Sequence, residues 1–395
     1  MKTSEIPTIN LTGPPRQRGR LYGEAAKPLI SAIIKSWKSE LGRLCSHKFA
    51  AVDPNNYVYE FLSQSSHLSV MYDFTPQLVE EIRGIAEGAG QTFEDVLCFQ
   101  LIDEEWGYGL RRNLNRPTSK CTAFALRNPI NKLTYAGQNM DIGSWVDGKQ
   151  LLLRLLPDDG LPEALLFSIA GNTGLNGLNA RGVGVTCNTL SQFEYSEKGL
   201  PVGAIVRTIL TMNSTSDAEY FLRSVPHASG QNYLLSSAND LRCFECNSKG
   251  VVRYTRKNSP CRVFHTNHPL SGTDESPGGD AKIERTANSI ERLRSISTRL
   301  GETSQDVSLE EIKAALSAHD DPSNPVSRNT NIHGDPIGFT AGSSIYEFGD
   351  IPRLHLAAGP PCETEYELFD FGADEYLGFD TRHAATSDCA KYPST

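Results

Sequence analysis

Residues 121–145 read CTAFALRNPINKLTYAGQNMDIGSW, and the character of the chain changes at the first of them. The runs CTAFAL and LTYAGQNM are short, rich in apolar residues and separated by the turn Asn128-Pro-Ile-Asn131, which is strand character. Immediately before them, Asn113–Lys120 (NLNRPTSK) is polar, contains Pro117 and has no periodicity, so it predicts an exposed loop. Cys121 thus sits where a loop meets the first residue of an apolar strand.

On the N-terminal side the chain reads mainly as helix. Leu29, Ile30, Ile33, Ile34 and Trp37 recur at helical spacing between Ala25 and Leu41. A second helix is expected over Leu78–Ala89, ended by Gly88 and Gly90, and a third after the capping-box-like Thr92-Phe-Glu-Asp. On the C-terminal side QLLLRLLP and EALLFSIA continue the strands, followed by the glycine-rich stretch Gly171–Leu190. Its glycines suit hairpin turns; they match neither a phosphate-binding loop nor the dinucleotide fingerprint. Helices are expected at 204–212, at 218–225 with Ser216 as N-cap, at 282–300 and at 309–318. Strands are expected at 233–236, 242–246, 251–254, 263–266, 343–348 and 353–357, with a turn-rich loop at 271–280. Strand runs on either side of helical blocks predict sheets covered by helices.

A cysteine at a loop–strand junction permits a particular chemistry. Its thiol can attack the preceding carbonyl, here that of Lys120, and hydrolysis of the thioester leaves Cys121 as a new N-terminus. The freed α-amine, with an ordinary pKa of about 7.7–8.0 against about 8.5 for a thiol, can then serve as the base without a histidine.

Composition narrows the alternatives. A net charge of −9 disfavours a polyanion partner, which needs a clustered positive surface. No stretch reaches the roughly 20 apolar residues of a membrane span. The first residues carry no signal-like apolar run, and Pro393-Ser394-Thr395 is not a peroxisomal address, so a cytoplasmic location is expected. Nine irregularly spaced cysteines argue against a disulfide framework.

The stretch 121–145 resembles the start of the catalytic chain in the acyl-coenzyme A:isopenicillin N acyltransferase family, the peptidase C45-like N-terminal-nucleophile hydrolases. The resemblance rests on Cys121-Thr122 opening a strand and on Gly137-Gln138-Asn139-Met140-Asp141. It extends to Gly13-Pro14…Gly19…Gly23, Asn176-Gly177-Leu178-Asn179…Gly182-Val183, His265-Thr266-Asn267-His268 and Gly359-Pro360. It implies an α+β fold, a four-layer αββα sandwich, in which residues 1–120 form a helical N-terminal segment and residues 121–395 the catalytic segment. The chain would then be a zymogen, self-cleaved at Lys120–Cys121 into alpha and beta chains that stay associated as one unit. Cys121 is implied as nucleophile, Asp141 as the group that orients the new amine and assists cleavage, and Asn267 as an oxyanion donor beside a backbone N–H. The implied activity is that of an amidase, a hydrolase of a small N-acyl amine, β-alanyl amines included. The alternative is an acyltransferase making amides from acyl-CoA. No metal or organic cofactor is called for. Lys120 departs from the glycine that precedes the cysteine in the penicillin enzyme, and a bulkier residue restricts the backbone at the scissile bond.

One pattern competes from another class. Cys243-Phe-Glu-Cys246 and His265-Thr-Asn-His268 spell CxxC…HxxH, which in a non-catalytic binding protein would be a zinc site. The Cys pair lies in a strand-like run, where positions three apart face opposite ways.

Overall fold

The computed structural model describes residues 5–46, 53–112, 120–157, 160–256, 259, 261–271, 280–329 and 338–371. The loops expected at 113–120 and 271–280 lie outside these residues, save Lys120, Ser271 and Asp280, as does the C-terminal tripeptide.

The N-terminal segment opens with a strand that the sequence pattern did not reveal, β1 (Thr8–Thr12). Among the described residues seven helices follow: α1 (Pro15–Ala25), α2 (Lys27–Ser46), α3 (Pro54–Gln64), α4 (His67–Phe74), α5 (Pro76–Ala89), α6 (Phe93–Gln100) and α7 (Ile102–Arg111). The helix expected from Ala25 starts instead at Lys27, because Pro28 suits a first turn and not a helix interior. Gly90, at φ 66°, closes α5, and Thr92 Oγ1 accepts from Asp95 N at 3.2 Å to cap α6.

Beyond residue 120 come β2 (Lys120–Arg127), β3 (Thr134–Ile142), β4 (Gln150–Leu156), β5 (Ala164–Ile169), β6 (Asn176–Asn179) and β7 (Gly184–Thr189). Then follow α8 (Val202–Ile209), α9 (Thr215–Ser224), β8 (Gln231–Ser236), β9 (Leu241–Asn247), β10 (Gly250–Tyr254) and β11 (Arg262–His265). The chain continues through α10 (Asp280–Leu300), α11 (Leu309–Leu316), β12 (Phe339–Phe348), β13 (Pro352–Ala357) and β14 (Glu367–Asp370). The glycine-rich stretch supplies β6, β7 and their turn. Ser214, not Ser216, caps α9, its Oγ accepting from Asp217 N at 3.1 Å.

The described strands form two sheets. One has the order β1-β4-β5-β6-β7-β8-β9-β10, the other β11-β2-β3-β12-β13-β14. Among the described strands the pairings are antiparallel except β1 on β4. The alternation along β2 explains the layering. Phe124 and Leu126 point outward into a core completed by Ile296 and Leu300 of α10 and Ile312 and Leu316 of α11. Ala125 points the other way, into the larger core shared with β4, β5, β7 and the helices α1, α2, α5, α6 and α8. Gln138 on β3 crosses that interior to the backbone of Cys187 on β7, and Tyr346 of β12 donates to Asn176 Oδ1 on β6 at 2.9 Å. Helices therefore cover both outer faces of two stacked sheets, the expected α+β sandwich in four layers.

Among the described residues Cys98, Cys121, Cys187, Cys243, Cys246 and Cys362 are free thiols, and Cys261 is disulfide-bonded. Among the described residues no helix is long and apolar enough to cross a membrane.

Candidate active site

Cys121 is the second residue of β2, next to β3, with Lys120 opposite Asp141 and Cys121 opposite Met140 in the ladder. The register alone thus brings three of the residues singled out by the sequence to one end of two central strands. The fourth, Asn267, follows β11, whose pairing with β2 carries it to the same end. Its Oδ1 accepts from the Cys121 backbone N–H at 2.7 Å. Arg292 Nη2 donates to the same oxygen at 2.9 Å. Two donors on one atom settle the orientation of the amide. Asn267 Nδ2 donates to the Thr189 carbonyl at 3.0 Å, and Asn267 lines a cavity beside Cys121.

The loop that carries Asn267 is held by polar contacts. Asn267 N–H donates to Ser289 Oγ at 2.7 Å, and Gln192 Nε2 donates to the Asn267 carbonyl at 3.0 Å. His268 Nδ1 lies 2.7 Å from the same Ser289 Oγ, and burial pushes its imidazole down to about 4. His265 packs against Glu245, its Nε2 2.9 Å from Oε1. Neither histidine lines the cavities beside Cys121.

Arg292, on α10, is the residue the sequence did not single out. It is fully buried, with Nη1 on the Cys121 carbonyl at 2.5 Å and on Thr122 Oγ1 at 2.9 Å. Burial pulls its pKa down to about 10, against the favourable charge of Asp141. Its one signal was position: Ser289, Arg292, Ile296 and Leu300 lie along the buried face of α10, so an arginine stands where an apolar residue is expected.

Asp141 is buried and accepts from Thr340 Oγ1 at 2.7 Å. Burial raises its carboxyl, while the guanidinium groups of Arg292 and Arg328 pull the other way. The Cys121 thiol is pushed up to about 12, first by burial and then by the charge of Asp141; a backbone hydrogen bond from Asp141 opposes this. The thiol is therefore protonated at neutral pH.

Two chambers adjoin the site. An outer one of about 520 Å³ is lined by Trp106, Arg111, Lys120, Tyr195, Asn267 and Arg292 among others. An inner one of about 60 Å³ has Cys121, Met140, Asp141, Cys187 and Val206 in its wall. Asp103, Trp106 and Thr189 line both.

The competing CxxC…HxxH set is engaged elsewhere. Cys243 Sγ lies 2.9 Å from Asn232 Oδ1, and both histidines have the partners given above. Among the described residues no group of three or more His, Cys, Asp or Glu side chains is placed to hold a metal.

Residues 131–336 match the model of a family described as acyl-coenzyme A:6-aminopenicillanic acid acyl-transferase. A curated relative, the 40 kDa form of acyl-coenzyme A:6-aminopenicillanic-acid-acyltransferase of Emericella nidulans, is 28% identical over 203 residues. The match covers 51% of this chain, and the chain spans about half (54%) of the relative's length. Among solved structures, a Caenorhabditis elegans N-acylethanolamine-hydrolyzing acid amidase ortholog aligns at 14% identity and a TM-score of 0.40, over 57% of this chain and 92% of its own. A variant of conjugated bile acid hydrolase from Clostridium perfringens aligns at 14% and 0.43, over 64% and 97%. Penicillin V acylase from Agrobacterium tumefaciens aligns at 14% and 0.39, over 65% and 87%.

Proposed function

The chain belongs to the acyl-coenzyme A:6-aminopenicillanic acid acyl-transferase family, and from that premise we propose that it is a precursor that cuts itself at Lys120–Cys121 and then hydrolyses a small N-acyl amine. The observation that carries this is the grip on Cys121: Asn267 Oδ1 on its nitrogen, Arg292 on its carbonyl, and its sulfur in the wall of a chamber.

In the uncut chain the nucleophile is a protonated thiol, and the Cys121 nitrogen is an amide that cannot act as a base. Asp141, made more basic by burial, takes the thiol proton as sulfur attacks the Lys120 carbonyl. The C–N bond breaks, the proton passes to the Cys121 nitrogen, and water releases Lys120 as a carboxylate. In turnover the freed α-amine, held by Asn267 Oδ1, receives the thiol proton as sulfur attacks the substrate amide. It passes that proton to the departing amine, and water then hydrolyses the thioester. The second Nδ2 proton of Asn267 stabilises the oxyanion; one such donor is typically worth about 2.7–4 kcal/mol.

The second reading is amide synthesis from acyl-CoA, the activity in the name of the Emericella relative. Arg111 and Lys120 in the outer chamber are cations that suit a phosphate-bearing donor. Hydrolysis is preferred because it requires no second organic substrate.

Intact-mass analysis of wild-type and Cys121→Ala protein tests the proposal. The wild type should yield fragments 1–120 and 121–395 and release amine from a panel of N-acyl amines, while the variant stays whole and inactive. An uncut, inactive wild type overturns it, and acyl transfer from CoA thioesters outpacing hydrolysis selects the second reading.

A further inference from the structure

Strand β12 is irregular where it passes Asp141. Gly342 lies opposite Met140 and Thr340 opposite Asp141, so Ala341 is an extra residue between two neighbouring positions of β3. In a regular strand residues two apart share a face. Gly342 lies on the inner face, where a Cβ would meet the Phe167 ring of β5. Ser343 lies on the outer one, its hydroxyl 2.6 Å from that of Tyr366. Without the bulge Thr340 would follow Gly342 inwards. The extra residue moves it to the outer face instead, beside Asp141.

A second contact sets the direction of the hydroxyl placed there. Thr340 Oγ1 accepts from the Arg328 N–H at 2.9 Å, and the Thr340 N–H donates back to the Arg328 carbonyl at 2.9 Å. The one hydroxyl proton then goes to Asp141 Oδ1, at 2.7 Å. Both residues are buried, so bulk water does not compete for the carboxylate. The other groups that face it are Arg292 from α10, Arg328 ahead of β12, Lys120 from β2 and the Cys121 thiol. Burial raises the Asp141 carboxyl; the charges of Arg292 and Arg328, the Thr340 hydroxyl and the charge of Lys120 oppose it, in that order. The Arg292 guanidinium is committed to Cys121, Thr122 and Asn267, whereas the Thr340 hydroxyl is aimed at Asp141 itself.

We infer that Thr340 is a positioning residue for the self-cleavage, aimed by the bulge at Ala341: its hydroxyl holds Asp141 Oδ1 and leaves Oδ2 to take the thiol proton. The inference rests on the roles proposed above for Cys121 and Asp141. Thr340 touches neither the sulfur nor the scissile bond and acts through the carboxylate. Loss of the hydroxyl removes a donor from the ionised form, so Asp141 takes up its proton at a higher pH. The base is then lost earlier as pH falls.

The test follows the rate of the cut against pH. Full-length chain freshly made by cell-free translation is moved into buffers from about pH 4.5 to about pH 8.5, a span that covers the ordinary carboxyl and α-amine ranges. Intact mass then reports the fraction cut at Lys120–Cys121 over time. Thr340→Val, which keeps the shape and loses the donor, should move the acid limb of the rate upward by roughly one to two pH units, the worth of a hydrogen bond to a charged group. Thr340→Ser, which keeps the hydroxyl, should return the limb to the wild-type position. Should Thr340→Val not fold, Thr340→Cys replaces it, and its weaker donor should shift the limb in the same direction. A threonine that only fills space predicts lower yield with an unmoved profile. An unmoved limb in the folded variant, or a shift in Thr340→Ser as large as in Thr340→Val, overturns the inference and leaves the cut at Cys121 standing. A wild-type chain that stays whole at every pH overturns the proposed function and this inference with it.

Discussion

Arg292 has no exposed surface, yet its guanidinium reaches the Cys121 carbonyl, the Thr122 hydroxyl and the Asn267 amide oxygen. A lone buried cation would be costly; these acceptors and the charge of Asp141 offset its desolvation. Glu104 is the opposite case. Its Oε1 accepts from Ser229 Oγ at 2.8 Å and from Val202 N at 3.1 Å, so a buried carboxyl of α7 caps α8, whose N-cap Pro201 makes no side-chain cap. Burial, and then the charge of Asp103, push it up to about 8. The folded protein therefore holds a proton that the unfolded chain releases near the ordinary glutamate value of 4.5. Stability is greatest below that value and falls as pH rises towards about 8, by up to about 1.4 kcal/mol per pH unit for one group. Thermal melts of wild type and Glu104→Gln should accordingly diverge from pH 5 to pH 8, with the glutamine variant gaining. Melting temperatures that run parallel over that range would show that Glu104 does not hold the proton.

At the scale of elements, α1 and α5 cross with their backbones in contact. Gly19 and Gly23 on one helix face Gly84 and Gly88 on the other, and a Cβ on Gly84 would overlap the Arg16 carbonyl. The same crossing buries Glu81, whose carboxylate takes Arg18 Nε at 2.8 Å and Arg207 Nη2 of α8 at 2.9 Å. Gly84→Val should cost about 3 kcal/mol or more in denaturant unfolding, because rigid backbone has nowhere to move. A loss under about 1 kcal/mol would mean that the helices slide apart cheaply. Gly19 and Gly23 were conspicuous in the sequence as spacing; their reason, the facing pair Gly84 and Gly88 far along the chain, was not.

Across the whole molecule, the boundary at residue 120 divides the chain but not the core. β1 completes the sheet that begins with β4. Tyr22 of α1 accepts from Gly171 N at 2.8 Å, and Gln100 of α6 donates to the Gly171 carbonyl at 2.8 Å. If the chain is cut at Lys120–Cys121 as proposed, the two pieces should co-elute in size-exclusion chromatography and part only in denaturant, since separation would expose a shared apolar interior. Elution of fragment 1–120 by itself under native conditions would contradict this.

The sequence by itself determined the local features of this protein. The periodicity of α5 and α6 with their caps, the alternation along β2 and β3, and the change of character at Cys121 are all properties of neighbours in the chain. It also brought Cys121 and Asp141 to one end of paired strands, since two strands joined by a short turn have their register set by that turn. Only the tertiary structure decided the rest. β1 is five residues whose single sheet partner, β4, lies far along the chain, so nothing local marks it as a strand. Arg292 looks like any arginine on a helix until α10 folds across β2, and Asp103 looks solvated until the chambers close around it. What a charged side chain does depends on which groups replace its water, and those groups come from distant parts of the chain.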